Sequence, residues 1–321
     1  MAFPADVSAF DAADALICDR IAPLCAGAGR SILVGLSGPQ GSGKTTTAAR
    51  LQTTLGARGL TCAVLSLDDF YLTRGERVQL AATVHPLLAT RGVPGTHDVA
   101  MMAATLRTLA TALPGQTTRL PFFDKASDDR AAQDDWPAFE GRPDVILLEG
   151  WCVGAAPQDA GALSSPINDL EAAEDADAAW RTYVNDQLAG SYHAFFAGFD
   201  LLVALTAPSF ACVYAWRAQQ EAALRLSSPD GAHVMSEAQL ARFIAHYERT
   251  TRSMITRPQA DLCIDIATDR RPIRARWVAN TASLSTRTMP LEPKPRPLMV
   301  RANVPWTSPR SSARFNWPEP G

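Results

Sequence analysis

Apolar residues recur along the chain in two rhythms. Short unbroken runs, "SILVGLSG" (31–38), "CAVLSL" (62–67), "DVILLEG" (144–150), "LLVALTAP" (201–208) and "ADLCIDIA" (260–267), have the form of parallel strands buried on both faces. Between them the spacing turns helical. Residues 6–26 set Phe10, Ala13, Leu16, Ile17, Ile21 and Leu24 on one face; Ala48, Leu51 and Leu55 follow the first run; 99–113, "VAMMAATLRTLATAL", predicts a further helix stopped by Pro-Gly. Residues 155–198, rich in Ala, Asp and Glu, read as helical covering. Strands alternating with helices predict βαβ units, hence an α/β fold with a doubly wound, mostly parallel sheet and helices on both faces.

Composition changes this picture only at the C-terminal end. With 321 residues, 47% of them hydrophobic, the chain can fill one large core or two small ones, and one domain over 1–280 is the simplest reading. The net charge of -3 is uneven: from Arg270 onward ten Lys/Arg face two acids, and nine of the 23 prolines fall there. Most of that stretch shows neither period, so 281–321 reads as a basic, Pro-rich, loosely ordered tail. Such a tail could meet nucleic acid or acidic lipid, but composition favours a solvated extension, and no nucleic-acid, membrane or obligate protein partner is expected. The six cysteines form no CxxC or metal-ligand spacing, and Cys62 and Cys263 read as core thiols. With no signal peptide and no 18-residue apolar run, a reduced, cytoplasmic protein is expected.

The chemistry begins at "GPQGSGKT" (Gly38–Thr45), which fits G-x-x-x-x-G-K-[ST] between a strand and a helix. Glycines let backbone N–H groups turn inward around phosphates, and the helix aims its positive end at them. Gly38, Pro39, Gln40, Gly41, Ser42, Gly43, Lys44, Thr45 and Thr46 are the candidate nucleotide cradle, with Lys44 for the β- and γ-phosphates and Thr45 for Mg²⁺. This motif makes the fold a P-loop NTPase fold. The guanine-reading N-K-x-D is absent, which favours ATP. Glu149 ends the "DVILLEG" strand, where strand carboxyl ends converge on a ligand crevice, and is the second candidate Mg²⁺ residue; a solvent-facing strand-end acid is the alternative.

Asp68 and Asp69 end the next strand, 24 residues beyond Lys44, far enough for one helix and one strand to return to the same sheet edge. A carboxylate there can accept the proton of an alcohol attacking the γ-phosphorus; a capping acid pair is the other reading. "SLDDFY" resembles the strand end of the uridine kinase, phosphoribulokinase and pantothenate kinase group. The longer set "GPQGSGKTT", "SLDDFYLTR", "HPLLATRGVPGTHD", "LPFFDKASDDR", "EGWCVG", "PINDLE", "WRTYVN" and "WRAQQE", over about 35–270, resembles the P-loop D-glycerate 3-kinases.

The resemblance implies Asp68 as catalytic base and glycerate as acceptor. A small hydroxy acid needs a cation, for which Arg91 is the candidate because guanidinium binds carboxylate through two parallel hydrogen bonds. His97 and Asp98 follow a Pro-Gly turn, and the resemblance aligns Asp98 with an acceptor-hydroxyl ligand. It likewise places Lys125, Asp128 and Arg130 in a substrate loop; Tyr71 completes the candidate acceptor set. Salt-bridged scaffolding is the alternative for each. The helix near 210–230 offers Arg217 and Arg225, with Arg217 preferred by resemblance as a catalytic lid arginine. His85 reads as structural, and Trp180 and Tyr183 as core aromatics. The expected activity is transfer of the ATP γ-phosphoryl group to the 3-hydroxyl of D-glycerate. The rivals are a kinase for uridine, pantothenate or a sugar phosphate, and an ATP-driven binding switch.

Overall fold

The computed structural model describes residues 1–3, 8–227 and 235–278, with the side chains of 223–227 excepted. The start of the first expected helix, the Arg225 side chain, part of the expected lid and the tail 281–321 lie outside the described residues.

In chain order the elements are α1 (Ala9–Ala28), β1 (Ile32–Ser37), α2 (Lys44–Ala57), β2 (Cys62–Ser66), α3 (Arg74–Thr83), α4 (Val99–Thr111), β3 (Thr117–Arg119), β4 (Phe123–Asp124), β5 (Asp129–Arg130), β6 (Ala138–Glu140), β7 (Val145–Gly150), α5 (Asp169–Glu174), α6 (Ala179–Gln187), α7 (His193–Phe196), β8 (Leu201–Thr206), α8 (Phe210–Ser227), α9 (Glu237–Thr256), β9 (Leu262–Ile266) and β10 (Pro272–Trp277). The central sheet has the order β10-β9-β8-β1-β7-β2. The five strands β9, β8, β1, β7 and β2 are parallel, as the unbroken apolar runs require. Side chains alternate between the sheet faces. Ile32, Val34, Leu36, Val145 and Leu147 pack with α1, α2 and α8, while Leu33, Ala63, Leu65, Ile146 and Leu148 pack against α4 and the Tyr192–Phe199 region. The fold is thus a mostly parallel α/β sheet with helices on both faces.

One expectation changes. Phe10 is not on the buried face of α1: it lies exposed against the Arg50 guanidinium, 4.9 Å from ring centre to Cζ, while Asp14 is buried and ion-paired to Arg50. Beyond the last expected strand but within 1–280, β10 runs antiparallel to β9, and Arg274 and Arg276 both pair with Asp265.

Register delivers the chemistry to one edge. Ser37 and Gly150 are partners across β1 and β7, and Ser66 faces Glu149 across β2 and β7. The chain that leaves β1 becomes the glycine loop, and the chain that leaves β2 becomes the aspartate pair. All six cysteines are free, and no described helix is long and apolar enough to cross a membrane.

Candidate active site

The glycine loop is set by backbone needs. Gly41 and Gly43 have φ of 76° and 90°, left-handed conformations that side chains disfavour. A Cβ on Gly41 would sit 2.7 Å from the Trp216 Cβ. Trp216 is buried and anchored by its indole N–H to the Thr268 carbonyl at 2.6 Å; Arg270, stacked on Trp216, donates to the Gly41 carbonyl at 2.6 Å. The loop is therefore clamped between α8 and the β9–β10 turn. Lys44 opens α2 and donates to the Pro39 carbonyl at 3.3 Å.

The Thr45 hydroxyl donates to Glu149 Oε1 at 2.8 Å, so the two expected Mg²⁺ residues are neighbours. Asp69 stands beside them with its pKa raised to about 6, first by burial and further by Asp68 and Glu149, against the Phe123 N–H and Lys125. Hard oxygen donors with surplus negative charge fit Mg²⁺.

Asp68 sits in a 3₁₀ turn, Leu67–Phe70, where its N–H is received by the Ser66 hydroxyl. Burial pushes its pKa up, but the Lys125 ammonium, the Tyr71 hydroxyl and Lys44 outweigh that, and the net shift is downward. Tyr71 donates to one carboxylate oxygen at 2.8 Å and Lys125 to the other at 2.7 Å.

A cavity of about 720 Å³ joins these parts. Its walls include Gln40, Gly41, Gly43, Lys44, Thr45, Thr46 and Glu149 on the phosphate side. Asp68, Asp69, Tyr71, Arg91, Lys125 and Arg217 line the same cavity. Anionic ligand, metal and hydroxyl chemistry thus share one space.

Comparison with known proteins gives the arrangement a family. The chain is 36% identical over 232 residues to an uncharacterized kinase, mug58, of Schizosaccharomyces pombe, covering 68% of this chain and 79% of that protein. It is 31% identical over 261 residues to the chloroplastic D-glycerate 3-kinase of Arabidopsis thaliana, covering 76% of this chain and 54% of that protein. The D-glycerate 3-kinase structure from Cryptococcus neoformans superposes with a TM-score of 0.70 at 24% identity, over 83% of this chain and 99% of that one. A family model for the methylmalonyl-CoA mutase-associated GTPase MeaB matches only residues 9–77, the strand–loop–helix part and its flanks.

The chain belongs to a family of P-loop kinases.

In this kinase the remaining candidates stand one layer behind the cavity wall. Asp98 caps α4, accepting from the Met101 N–H at 2.8 Å, with Arg130 Nη2 at 3.7 Å. Asp128 pairs with both Arg77 and Arg91, so Arg91 reaches the cavity with a carboxylate already at its back. Arg130 donates to the Tyr71 carbonyl at 3.0 Å. Gly38, Pro39 and Ser42 form the underside of the glycine loop; Gly38 and Pro39 line a small second cavity behind it.

His97 is buried, stacked on Tyr71 at 4.6 Å and hydrogen-bonded through Nδ1 to the Tyr192 hydroxyl at 2.6 Å. Burial lowers its pKa from 6.5 to about 4, against the attraction of Asp68. The unfolded chain binds a proton below pH 6.5 that the folded chain refuses until about pH 4. Stability from this group is therefore full above pH 6.5 and falls as pH drops through that window, by ~3 kcal/mol in all. Urea midpoints at pH 7 and pH 4.5 are expected to differ less in His97→Gln than in the parent; equal differences would contradict a neutral buried His97.

Other segments prove to be scaffold. In "PINDLE", Asn168 caps α5 and Glu171 forms a buried ion pair with Arg249 of α9 at 2.6 Å. In "WRTYVN", Arg181 pairs with the buried Asp175 at 2.9 Å, and Asn185 brackets Gln158 through its backbone N–H and carbonyl. His85 accepts from the Leu87 N–H, and Trp180 is buried. Tyr183 packs where a Gly95 side chain would otherwise stand.

Sequence reading missed several residues of the cavity wall, among them Trp151, Gln220, Phe243 and Tyr247. Trp151 donates to the Gly92 carbonyl at 2.9 Å and Tyr247 to the Arg91 carbonyl at 3.1 Å, together fixing the loop that carries Arg91. Trp151 was within reach, since it follows Glu149 by two residues at a strand end; Phe243 and Tyr247 look like ordinary core positions of a helix.

Proposed function

We propose that this kinase transfers the γ-phosphoryl group of ATP to the 3-hydroxyl of D-glycerate, giving 3-phosphoglycerate and ADP. The observation that carries this reading is the shared cavity, lined by a phosphate cradle, an ionised aspartate and an arginine that can hold a carboxylate. The relatives named D-glycerate 3-kinase support the same acceptor.

On this reading Gly38–Thr46 hold the nucleotide, and Lys44 offsets charge on its terminal phosphates. Thr45 and Glu149 would hold Mg²⁺, which supplies charge neutralisation to the phosphoryl oxygens when bound. Asp68 takes the proton of the 3-hydroxyl as its oxygen bonds to the γ-phosphorus and the bond to the β–γ bridging oxygen breaks. The hydroxyl replaces Lys125 on the carboxylate, which leaves that ammonium beside the acceptor. Arg91 receives the glycerate carboxylate; Asp98, Asp128, Arg130 and His97 hold Tyr71 and Arg91 in place.

The aromatic wall of Phe122, Phe123, Trp151, Phe243 and Tyr247 is the one feature that favours a second acceptor class, a nucleoside. ADP release measured with D-glycerate, uridine, ribulose 5-phosphate and pantothenate separates the readings. Turnover that rises with D-glycerate alone is the expected result. Turnover with uridine alone would move the acceptor reading to nucleosides, and turnover indifferent to every acceptor would favour an ATP-driven switch.

A further inference from the structure

α8 carries a buried carboxylate beside the cavity. Glu221 is 2% exposed and lies one turn beyond Arg217 on the same helix. Its Oε2 is 3.0 Å from Arg217 Nη2, and its Oε1 accepts a 2.6 Å hydrogen bond from the Met235 N–H, next to the Ser236 that caps α9. Taking a carboxylate out of water costs several kcal/mol unless it is paired, and an apolar side chain of similar volume is often the more stable occupant. The charge therefore calls for a role beyond packing.

Arg217 supplies one. It lines the cavity that holds Lys44 and Thr45, with its guanidinium carbon 5.6 Å from the centre of the Phe243 ring. Glu221 holds it by charge: Oε2 receives no aligned N–H, and among the described residues no hydrogen bond takes up the Arg217 donors. A guanidinium presents five N–H donors in a rigid planar fork. Here the fork is aimed by a carboxylate on one side and an aromatic ring on the other, with its donors unspent. Donors preorganised in this way stabilise developing charge without rearranging during the reaction.

We propose that Glu221 is a positioning residue that holds the Arg217 guanidinium against the cavity so that it meets the terminal phosphoryl oxygens of the nucleotide. This rests on the nucleotide reading of the cavity, and not on which alcohol accepts the phosphoryl group.

The test compares the parent, Glu221→Gln, Arg217→Ala and the double variant. Readouts are kcat and KM with MgATP and D-glycerate, dissociation constants for ATP and ADP, and melting temperature. Glutamine keeps the shape and the acceptor for Met235. It is expected to lower kcat about ten-fold, the scale of a slightly misplaced group, with the glycerate KM within about two-fold. It should also narrow the preference for ATP over ADP, and in the Arg217→Ala background it should change neither quantity, because the two residues act as one unit. Glu221→Asp, which keeps the charge but retracts it, should fall between parent and amide, and it carries the test if the amide variant melts too low to assay. Multiplying effects in the double variant, or a parental kcat and ATP-to-ADP ratio without the Glu221 carboxylate, would overturn the proposal. If the parent does not turn over D-glycerate, the two nucleotide affinities still decide the role of Glu221, and only the acceptor reading fails.

Discussion

Asp68→Asn is expected to bind ATP as the parent does and to turn over at least ~100-fold more slowly, the scale of a lost general base. The substitution is nearly isosteric, and its amide oxygen still receives the Tyr71 hydroxyl that now donates to the carboxylate at 2.8 Å. What it removes is the negative charge that holds Lys125 at 2.7 Å and that would take the acceptor proton. The downward pKa of Asp68 keeps it ionised at neutral pH, but also makes it a weak base while Lys125 is bound. The proposed mechanism therefore requires the ammonium to give way to the substrate hydroxyl. Steady-state turnover beside calorimetric ATP binding checks the prediction, and full turnover in the amide variant would remove Asp68 from the chemistry.

Gly41→Ala is expected to weaken ATP binding by a comparable factor, for a different reason. A side chain at φ 76° costs ~1–2 kcal/mol in backbone strain alone. The added Cβ also meets the Trp216 Cβ at 2.7 Å, and Trp216 cannot retreat, being buried and tied to Thr268. The loop must then move away from α8 and lose the Arg270 bond to the Gly41 carbonyl. The expected loss in ATP affinity is ~100-fold or more, about 2.7 kcal/mol, with the fold retained. Nucleotide titration with a parallel melting curve tests it. Gly43→Ala makes the control: its φ is also positive, but a Cβ there meets nothing within 4 Å, so strain acts without the clash and the loss should be smaller.

How much of this was legible depends on how local each signal is. The glycine loop, the Thr45–Glu149 pair and the aspartate turn were readable because each ends an apolar run, and a parallel sheet brings such ends to one edge. Facing was not readable. Asp98 and His97 sit in the expected loop, yet a helix cap claims one and Tyr192 the other, and those partners are fixed by hydrogen bonds with no sequence period. Lys125 and Asp128 share a hairpin, but only Lys125 enters the cavity, because two arginines hold Asp128 behind it. β10 was hidden for an electrostatic reason: Arg274 and Arg276 look like solvated charges until Asp265 is seen between them. The cavity aromatics of α9 arrive from more than a hundred residues beyond Lys125, and their i, i+4 spacing matches any buried helix face.

The decisive measurement is a crystal structure with a non-hydrolysable ATP analogue, Mg²⁺ and D-glycerate bound together. The account predicts the 3-hydroxyl within hydrogen-bond distance of Asp68 and in line with the γ-phosphorus, the glycerate carboxylate on Arg91, and Lys125 released from Asp68. Finding Lys125 still on Asp68, with the acceptor hydroxyl delivered to another group or directed away from the γ-phosphorus, would contradict it.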